Sequence, residues 1–337
     1  MRGAASECRA SGRTNVLILH GGALGDLALT LQFALRLTMP RAGDELLLIS
    51  RINPGDLSSC RPSVLRRSPE GLGLHWLHAE SEEPPPERLR TLVVGQNVLN
   101  ALSGTDSIVH RRLLKLEPRN VHSFDPRPKP GVSVHITTQW QRELEGQGLL
   151  FPKCIHQGRG PRTLHVPAAL RIRGRELLKD VGPGERPILI HPGGGGRAKC
   201  WPLRCFVATA RALRATGLDV CFVVGPVEAE RWRADSLETL RTEVPLLESP
   251  PPDDLLASLA CCRALLSNDA GPAHLAALIG TPTVTVFGPT SPVLWRPLGV
   301  HARALAGNSD GSPDDWGIDA EHVAARVREL VRRPARE

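Results

Sequence analysis

The 337-residue chain contains no tyrosine, and aromatic residues make up only 4% of it. Single-stranded nucleic acids are held on stacked aromatic platforms, so a chain this poor in rings is not expected to bind them, despite a formal net charge of +7. The pairs Arg66-Arg67, Arg111-Arg112 and Arg332-Arg333 are scattered, and they read as a solvated basic face suited to an anionic substrate or membrane surface. No CxxC pair occurs among Cys8, Cys60, Cys154, Cys200, Cys205, Cys221, Cys261 and Cys262, so reduced, buried thiols are expected and structural zinc is not. No apolar run approaches the roughly twenty residues of a membrane-spanning helix. No Asp-x-Asp triplet occurs, the pairs Asp253-Asp254 and Asp314-Asp315 read as a helix start and a loop, and neither metal nor other cofactor is expected. The opening MRGAASECRASGRTN is too polar for a secretory signal and reads as a frayed leader, which places the protein in the cytoplasm.

Strand and helix signals, by contrast, alternate along most of the chain. Its length allows two α/β domains, each with its own core. NVLILH (15–20), ELLLIS (45–50), TLVVGQN (91–97) and, more weakly, VSVHIT (132–137) read as strands, with helical spacing over 27–39 and loops at SEEPPPERLR and DPRPKPG. In the second half PILIHPG, LDVCFVVG, ALLSN and TVTVFGP read as strands. Helices are expected at about 202–216, with Pro202 in its first turn, at 228–240, at 253–262 and after Asp269. The pattern is doubly wound and mainly parallel. The domains are expected at 1–165 and 166–337, with the seam between Gly158 and Gly184 and a ligand cleft between them.

Three glycine-containing loops follow predicted strands, at the sheet edge where helix N-termini and loop amides converge on ligands. In HGGALGDLALT, which carries Gly22 and Gly25, Asp26 reads either as a helix N-cap or as a carboxylate general base. The stretch HPGGGGRAKCWP has Ala198, Lys199 and Cys200 where a nucleotide P-loop needs Gly-Lys-Ser/Thr, which removes an ATPase or GTPase reading. It is then either a flexible turn beside a surface lysine or an anion site, in which the amides of Gly194 and Gly195 approach a phosphate and Lys199 adds a point charge. Trp201 reads as core packing. In SNDAGPAHLAALIGTP, Asn268 and Asp269 end a strand and Gly271-Pro272 open a helix whose positive end suits a pyrophosphate. His274, in its first turn, is either a satisfied core histidine or a hydrogen-bonding site residue.

These three blocks, with FGPTSPVLWRP after the last, resemble glycosyltransferase family 9, the ADP-heptose:lipopolysaccharide heptosyltransferases. The third block carries the resemblance over more than twenty residues, while between about Ser50 and Gly184 it is faint. The resemblance implies a GT-B fold of two facing Rossmann-like domains, the N-terminal one binding the acceptor and the C-terminal one the nucleotide sugar. It implies that Asp26 is the general base in a loop where Gly22 and Gly25 meet the acceptor. It further implies that Lys199 acts on the diphosphate, that Asn268, Asp269, Gly271 and His274 face the donor, and that Glu228 or Glu230 faces the ribose. Relatives often carry hydroxyl residues where this chain has Gly194 and Gly195. An inverting transfer from an ADP-sugar to a lipopolysaccharide-core or other surface-glycan acceptor is thereby expected, with possible contact at the inner membrane face. The alternatives are a sugar-nucleotide epimerase or hydrolase and a non-catalytic binding module.

Overall fold

The computed structural model describes residues 16–38, 45–80, 82–149, 163–182, 184, 186–232, 234–307 and 316–332. The leader, Cys8, Cys154, Asp314-Asp315, Arg333 and part of the expected seam lie outside them.

In chain order the first half contains β1 (Val16–His20), α1 (Leu24–Thr38), β2 (Glu45–Ile49), β3 (Ser63–Arg67), α2 (Glu87–Val93), β4 (Asn97–Ala101), α3 (Ile108–Leu114), β5 (Asn120–Ser123) and α4 (Ile136–Gly146). The second half begins with α5 (Ala168–Val181), β6 (Ile188–His191), α6 (Leu203–Arg214), β7 (Val220–Val224), α7 (Pro226–Arg231), α8 (Ala234–Glu243) and β8 (Leu246–Glu248). It continues with α9 (Pro252–Cys261), β9 (Ala264–Asn268), α10 (Gly271–Leu278), β10 (Thr283–Phe287), α11 (Pro292–Trp295), β11 (Ala302–Ala306) and α12 (Ala320–Arg332).

Two parallel sheets result, ordered β3-β2-β1-β4-β5 and β11-β10-β9-β6-β7-β8. The strand order reverses beside β1 in the first sheet and between β6 and β9 in the second. Ligands of open α/β sheets bind at such reversals, and the loops after β1, β6 and β9 are the three glycine-containing loops that stand out in the sequence.

Both faces of the sheets are covered, which is why their central strands are apolar throughout. Val16 and Ile18 of β1 join a core shared with α1 and with Leu256 of α9 and Leu275 of α10, so it spans both halves. Leu17 and Leu19 face a second core with Trp76, Leu89 and Leu113. The opposite face of the second sheet packs against α6 and α12 through Phe206, Leu213, Val323 and Val327. The scarce aromatics are concentrated: Phe33 of α1 meets Phe124 and Trp140 edge-on at 5.6 and 5.7 Å, and those two stack at 4.6 Å.

Four expectations need correction. Thr91–Val93 ends α2 instead of opening a strand, because Leu89 and Val93, one helical turn apart, bury one face after the proline run; the strand begins at Asn97. The run 132–137 leads into α4, where the His135 side chain accepts the Thr137 N–H and caps the helix. The helix expected over 228–240 is two helices, since Trp232 is extended, with ψ of 151°. Pro202 is the residue before α6, not part of its first turn. Of the described cysteines, Cys60, Cys221, Cys261 and Cys262 are buried as expected, whereas Cys200 and Cys205 are only half-buried.

α5 packs on α9 at Gly174, where an added Cβ would stand 2.0 Å from the Ala257 carbonyl oxygen and 2.7 Å from Cys261 Cβ. Alanine is favoured over glycine inside a helix by about 1 kcal/mol, whereas overpacking costs about 1–3 kcal/mol. Contact with a rigid backbone oxygen makes the steric cost prevail. Gly174→Ala should therefore lower the denaturant midpoint, and a midpoint at or above wild type would refute this close packing.

Candidate functional site

Parallel strands deliver the three loops to the carboxyl edges of the two sheets. In the first loop the chain leaves β1 at His20 and enters α1 at Leu24, so Asp26 is the third residue of the helix and not its N-cap. From there its carboxylate reaches back and Oδ2 accepts the Ala23 N–H at 3.2 Å. This satisfies one of the helix's free amides from inside the first turn. Oδ1 has no protein partner among the described residues. Gly22 is crowded by this arrangement: an added Cβ would lie 2.9 Å from Asp26 Oδ2 and 3.2 Å from His20 Nε2. His20 opens the first block, where the sequence gives it no role, yet it is buried with neither ring nitrogen bonded.

The second loop is held from two sides. Asn268, at the end of β9, accepts the Trp201 N–H at 2.9 Å and donates to the Pro192 and Gly193 carbonyls at 2.8 and 3.0 Å. Glu228, in the first turn of α7, accepts the N–H of Gly194 at 3.1 Å through Oε1 and that of Gly225 at 3.0 Å through Oε2. The amide of Gly194 is thus spent on Glu228, and the Asn268 amide is fully engaged on the loop. The expectation that the Gly194 amide approaches a phosphate is not met in this arrangement, and both groups shape the loop. Glu230 takes no part in the clamp.

Between this loop and α7 and α8 lies a cavity of about 440 Å³, lined among others by Gly194, Gly196, Cys200, Glu228, Arg231 and Trp232. Its walls all come from the second half of the chain, not from a cleft between the halves. Gly195 and Gly196 have open space where a Cβ would project. Lys199 ends a short 3-10 turn (Arg197–Lys199), is exposed, and has no ion-pair partner among the described residues; it stands beside the cavity without lining it. Trp201 is buried and meets Phe206 edge-on at 5.1 Å, a packing role.

In the third loop, His274 Nε2 and Asp269 Oδ1 are 3.5 Å apart, with both side chains nearly buried and His274 Nδ1 without a partner. Of the helix-opening amides, Pro272 contributes none and Ala273 donates to the Ala270 carbonyl at 3.0 Å. The N–H groups of Ala270 and Gly271 remain. This loop meets the first one directly: a Cβ on Gly25 would be 3.1 Å from His274 Cδ2, and one on Gly271 would be 2.8 Å from Leu24 Cβ. Asp26, Asp269 and His274 are therefore gathered at one seam, with the glycine loop joined to it through Asn268. Among the described residues no cluster of three or more His, Cys, Asp or Glu side chains is arranged to hold a metal ion, and no helix is long and apolar enough to cross a membrane.

Burial sets the histidine electrostatics. It pushes His20 and His135 down to about 4, and it also lowers His191, whose Nδ1 bonds the Val223 carbonyl oxygen at 3.0 Å. The His135 ring ties α4 to the second half through the Arg296 carbonyl oxygen at 2.9 Å.

Asn268→Leu would strand three buried backbone groups at once. At about 1–3 kcal/mol for each unsatisfied group, it should destabilise the protein by several kcal/mol in chemical denaturation; a loss below about 1 kcal/mol would show that the clamp is dispensable. For the histidines, the unfolded state near pKa 6.5 binds protons that the folded state, near 4, refuses. Their contribution is intact above pH 6.5 and declines as pH falls toward 4, by on the order of 3 kcal/mol per group. Unfolding free energy should drop steadily from pH 6.5 to 4, less steeply in His135→Asn, and an unchanged slope in that variant would count against this origin.

Comparison with known proteins bears on the second and third of these loops. Residues 166–316 match the model of glycosyltransferase family 9 (heptosyltransferase). Lipopolysaccharide heptosyltransferase 3 of Escherichia coli is 29% identical over 144 residues, 40% of this chain and 41% of that one. Lipooligosaccharide heptosyltransferase 2 of Haemophilus influenzae is 33% identical over 128 residues, 36% and 37% of the two chains. The chain thus matches about two fifths of the length of these relatives. Among solved structures, a family 9 glycosyl transferase from Veillonella parvula superposes with a TM-score of 0.69 at 18% identity, covering 95% of this chain and 97% of its own. The E. coli ADP-heptose lps heptosyltransferase II gives 0.65 at 18% identity, covering 94% and 98%. The architecture is the GT-B fold. Residues 166–316 thus carry a glycosyltransferase family 9, heptosyltransferase-like sequence, and nearly the whole chain has the fold of the solved family 9 structures.

Proposed function

We propose that the protein is an inverting glycosyltransferase that moves a heptose or related sugar from an ADP-sugar to a lipopolysaccharide-core or other surface-glycan acceptor. The observation that carries this reading is the meeting of the first and third loops, where Gly25, the neighbour of the half-engaged Asp26, lies against the ring of His274, itself paired with Asp269. Residues 1–165 present the acceptor and residues 166–337 the donor. The nucleoside occupies the cavity next to Glu228 and Trp232, and its diphosphate lies toward Lys199 and the amides of Ala270 and Gly271. Asp26 Oδ1 takes the proton of the acceptor hydroxyl while that oxygen bonds to the anomeric carbon from the far side. The bond from carbon to diphosphate oxygen breaks, its electron pair leaves with the diphosphate, and Lys199 with the two amides stabilises the growing charge. Asp269 and His274 hold the sugar. The scheme uses only side chains and amides, so neither metal nor other cofactor is required. The net positive charge fits work at the cytoplasmic face of a membrane, in peripheral contact with an anionic glycolipid.

Thermal shift against ADP, UDP and GDP tests the donor site, and transfer from ADP-heptose tests the base. ADP at about 100 times its dissociation constant should stabilise the protein by about 2.7 kcal/mol, with a weaker response in Lys199→Ala. Asp26→Asn should keep ADP binding and lose transfer by about 100-fold or more. Full transfer by Asp26→Asn would overturn the base assignment. Acceptor-independent epimerisation of ADP-heptose would point to the sugar-nucleotide epimerase alternative, and donor binding without turnover by wild type to a binding module.

A further inference from the structure

β1 is apolar except for its last residue. Strand alternation puts His20 on the same face as Val16 and Ile18, the face that α1 covers. It is 4% exposed, and both ring nitrogens are buried without a partner. An apolar residue would fill this place without leaving two polar atoms unsatisfied, so packing does not account for an imidazole here. Its surroundings do. His20 Nε2 and Asp26 Oδ2, the carboxylate oxygen that also holds the Ala23 N–H, flank the same point, the place a Cβ on Gly22 would take, at 3.2 and 2.9 Å, so the ring and the carboxylate whose Oδ1 serves as base lie within about 6 Å of each other. Adjacent hydroxyls of one sugar, each making a hydrogen bond of about 2.8 Å, can bridge that distance.

We propose that His20 is an acceptor-positioning residue, whose Nε2 holds the hydroxyl next to the one that Asp26 deprotonates, so that the site takes a vicinal diol. This rests on the transferase reading given above. The chemistry of the ring selects the ligand. In a neutral imidazole Nε2 donates or accepts according to tautomer, and a hydroxyl satisfies either form, whereas a carboxylate satisfies only the donor form. Burial keeps the ring neutral near pH 7. The loop over this edge, Gly21 to Ala23, carries no side chain larger than a methyl and is exposed at both ends, so an incoming hydroxyl displaces none of its side chains by more than that. Two contacts on one sugar would also fix which hydroxyl faces Asp26, a positional choice that a lone base does not make.

His20→Leu and His20→Asn test the proposal with ADP-heptose as donor and a lipopolysaccharide core oligosaccharide as acceptor probe. His20→Leu should melt no lower than wild type, bind ADP within about twofold, and lose about tenfold in kcat/KM for the acceptor, the worth of one hydrogen bond. Its KM for ADP-heptose should be unchanged. His20→Asn, which restores a donor and an acceptor, should recover part of the loss. Unchanged acceptor kcat/KM in His20→Leu, or a lowered melting temperature with both substrates affected alike, overturns the proposal while leaving the transferase reading standing. A wild-type protein that binds ADP yet transfers nothing to the oligosaccharide overturns that reading and this proposal with it.

Discussion

Two helix N-termini meet at the centre of this molecule, and glycine at each makes the contact possible. Gly25 of α1 lies against the His274 ring, where a Cβ would be tight at 3.1 Å, and Gly271 of α10 against Leu24, where a Cβ would force a shift. A β-carbon at 271 would stand 2.8 Å from Leu24 Cβ, and pushing the helices apart to admit it would disturb the core they share. That core runs from α1 through α9 and α10, so the approach of the helix ends and the joining of the two sheets are one packing solution. The functional consequence is local: Asp26 comes from the first sheet, Asp269 and His274 from the second, and only this contact gathers them.

Around that seam the structure uses its polar side chains to hold backbone. The four consecutive glycines do two different jobs. Gly193 and Gly194 are pressed against Glu228 and Cys200, where a Cβ on Gly193 would be 2.3 Å from the Glu228 carboxyl carbon. Gly195 and Gly196 face open space. The first pair allows close approach and the second leaves room for a ligand, so the loop is rigid at its root and unobstructed at its tip. Asn268 does for one side of the root what Glu228 does for the other, so the root of the loop is fixed before anything meets its tip.

The sequence was legible where burial is symmetrical. Every strand with a neighbour on both sides, β1, β2, β4, β6, β7, β9 and β10, has an apolar core, and all but β4 were anticipated at least approximately; the run expected as a strand over 91–97 ends α2, and β4 begins only at its last residue. The four strands with no clear signal are the four sheet edges, β3, β5, β8 and β11. An edge strand has one neighbour and a partly wet face, and SVLRR, NVHS and ARALA reflect that in their polar or small residues. At the site, the three loops and their order were legible because glycine, aspartate and helix-opening proline leave local signatures. The partners of Asn268 and Glu228 were not, since a side chain's hydrogen bonds to backbone 34 to 76 residues away follow from the fold and not from neighbours in sequence. Nor was His20, whose distinction is a lack of partners.

The shared core also limits how this protein can admit its ligands. A wide hinge opening between the two sheets, the picture implied by a cleft between independent domains, would split the core that contains Leu27 and Leu31 of the first half and Leu256 and Leu275 of the second, all of them essentially fully buried. Re-exposing side chains of this kind costs about 1.5–3 kcal/mol each, and the tie from His135 to the Arg296 carbonyl would be broken with them. Against that, the loop after β1 and the open tip of the glycine loop are exposed and carry almost no side-chain mass. Local movement of these two loops disturbs no core. The lower-cost route to the site is therefore through its glycines, which places the flexibility needed for access in the same few residues that bring the backbone close to the ligand.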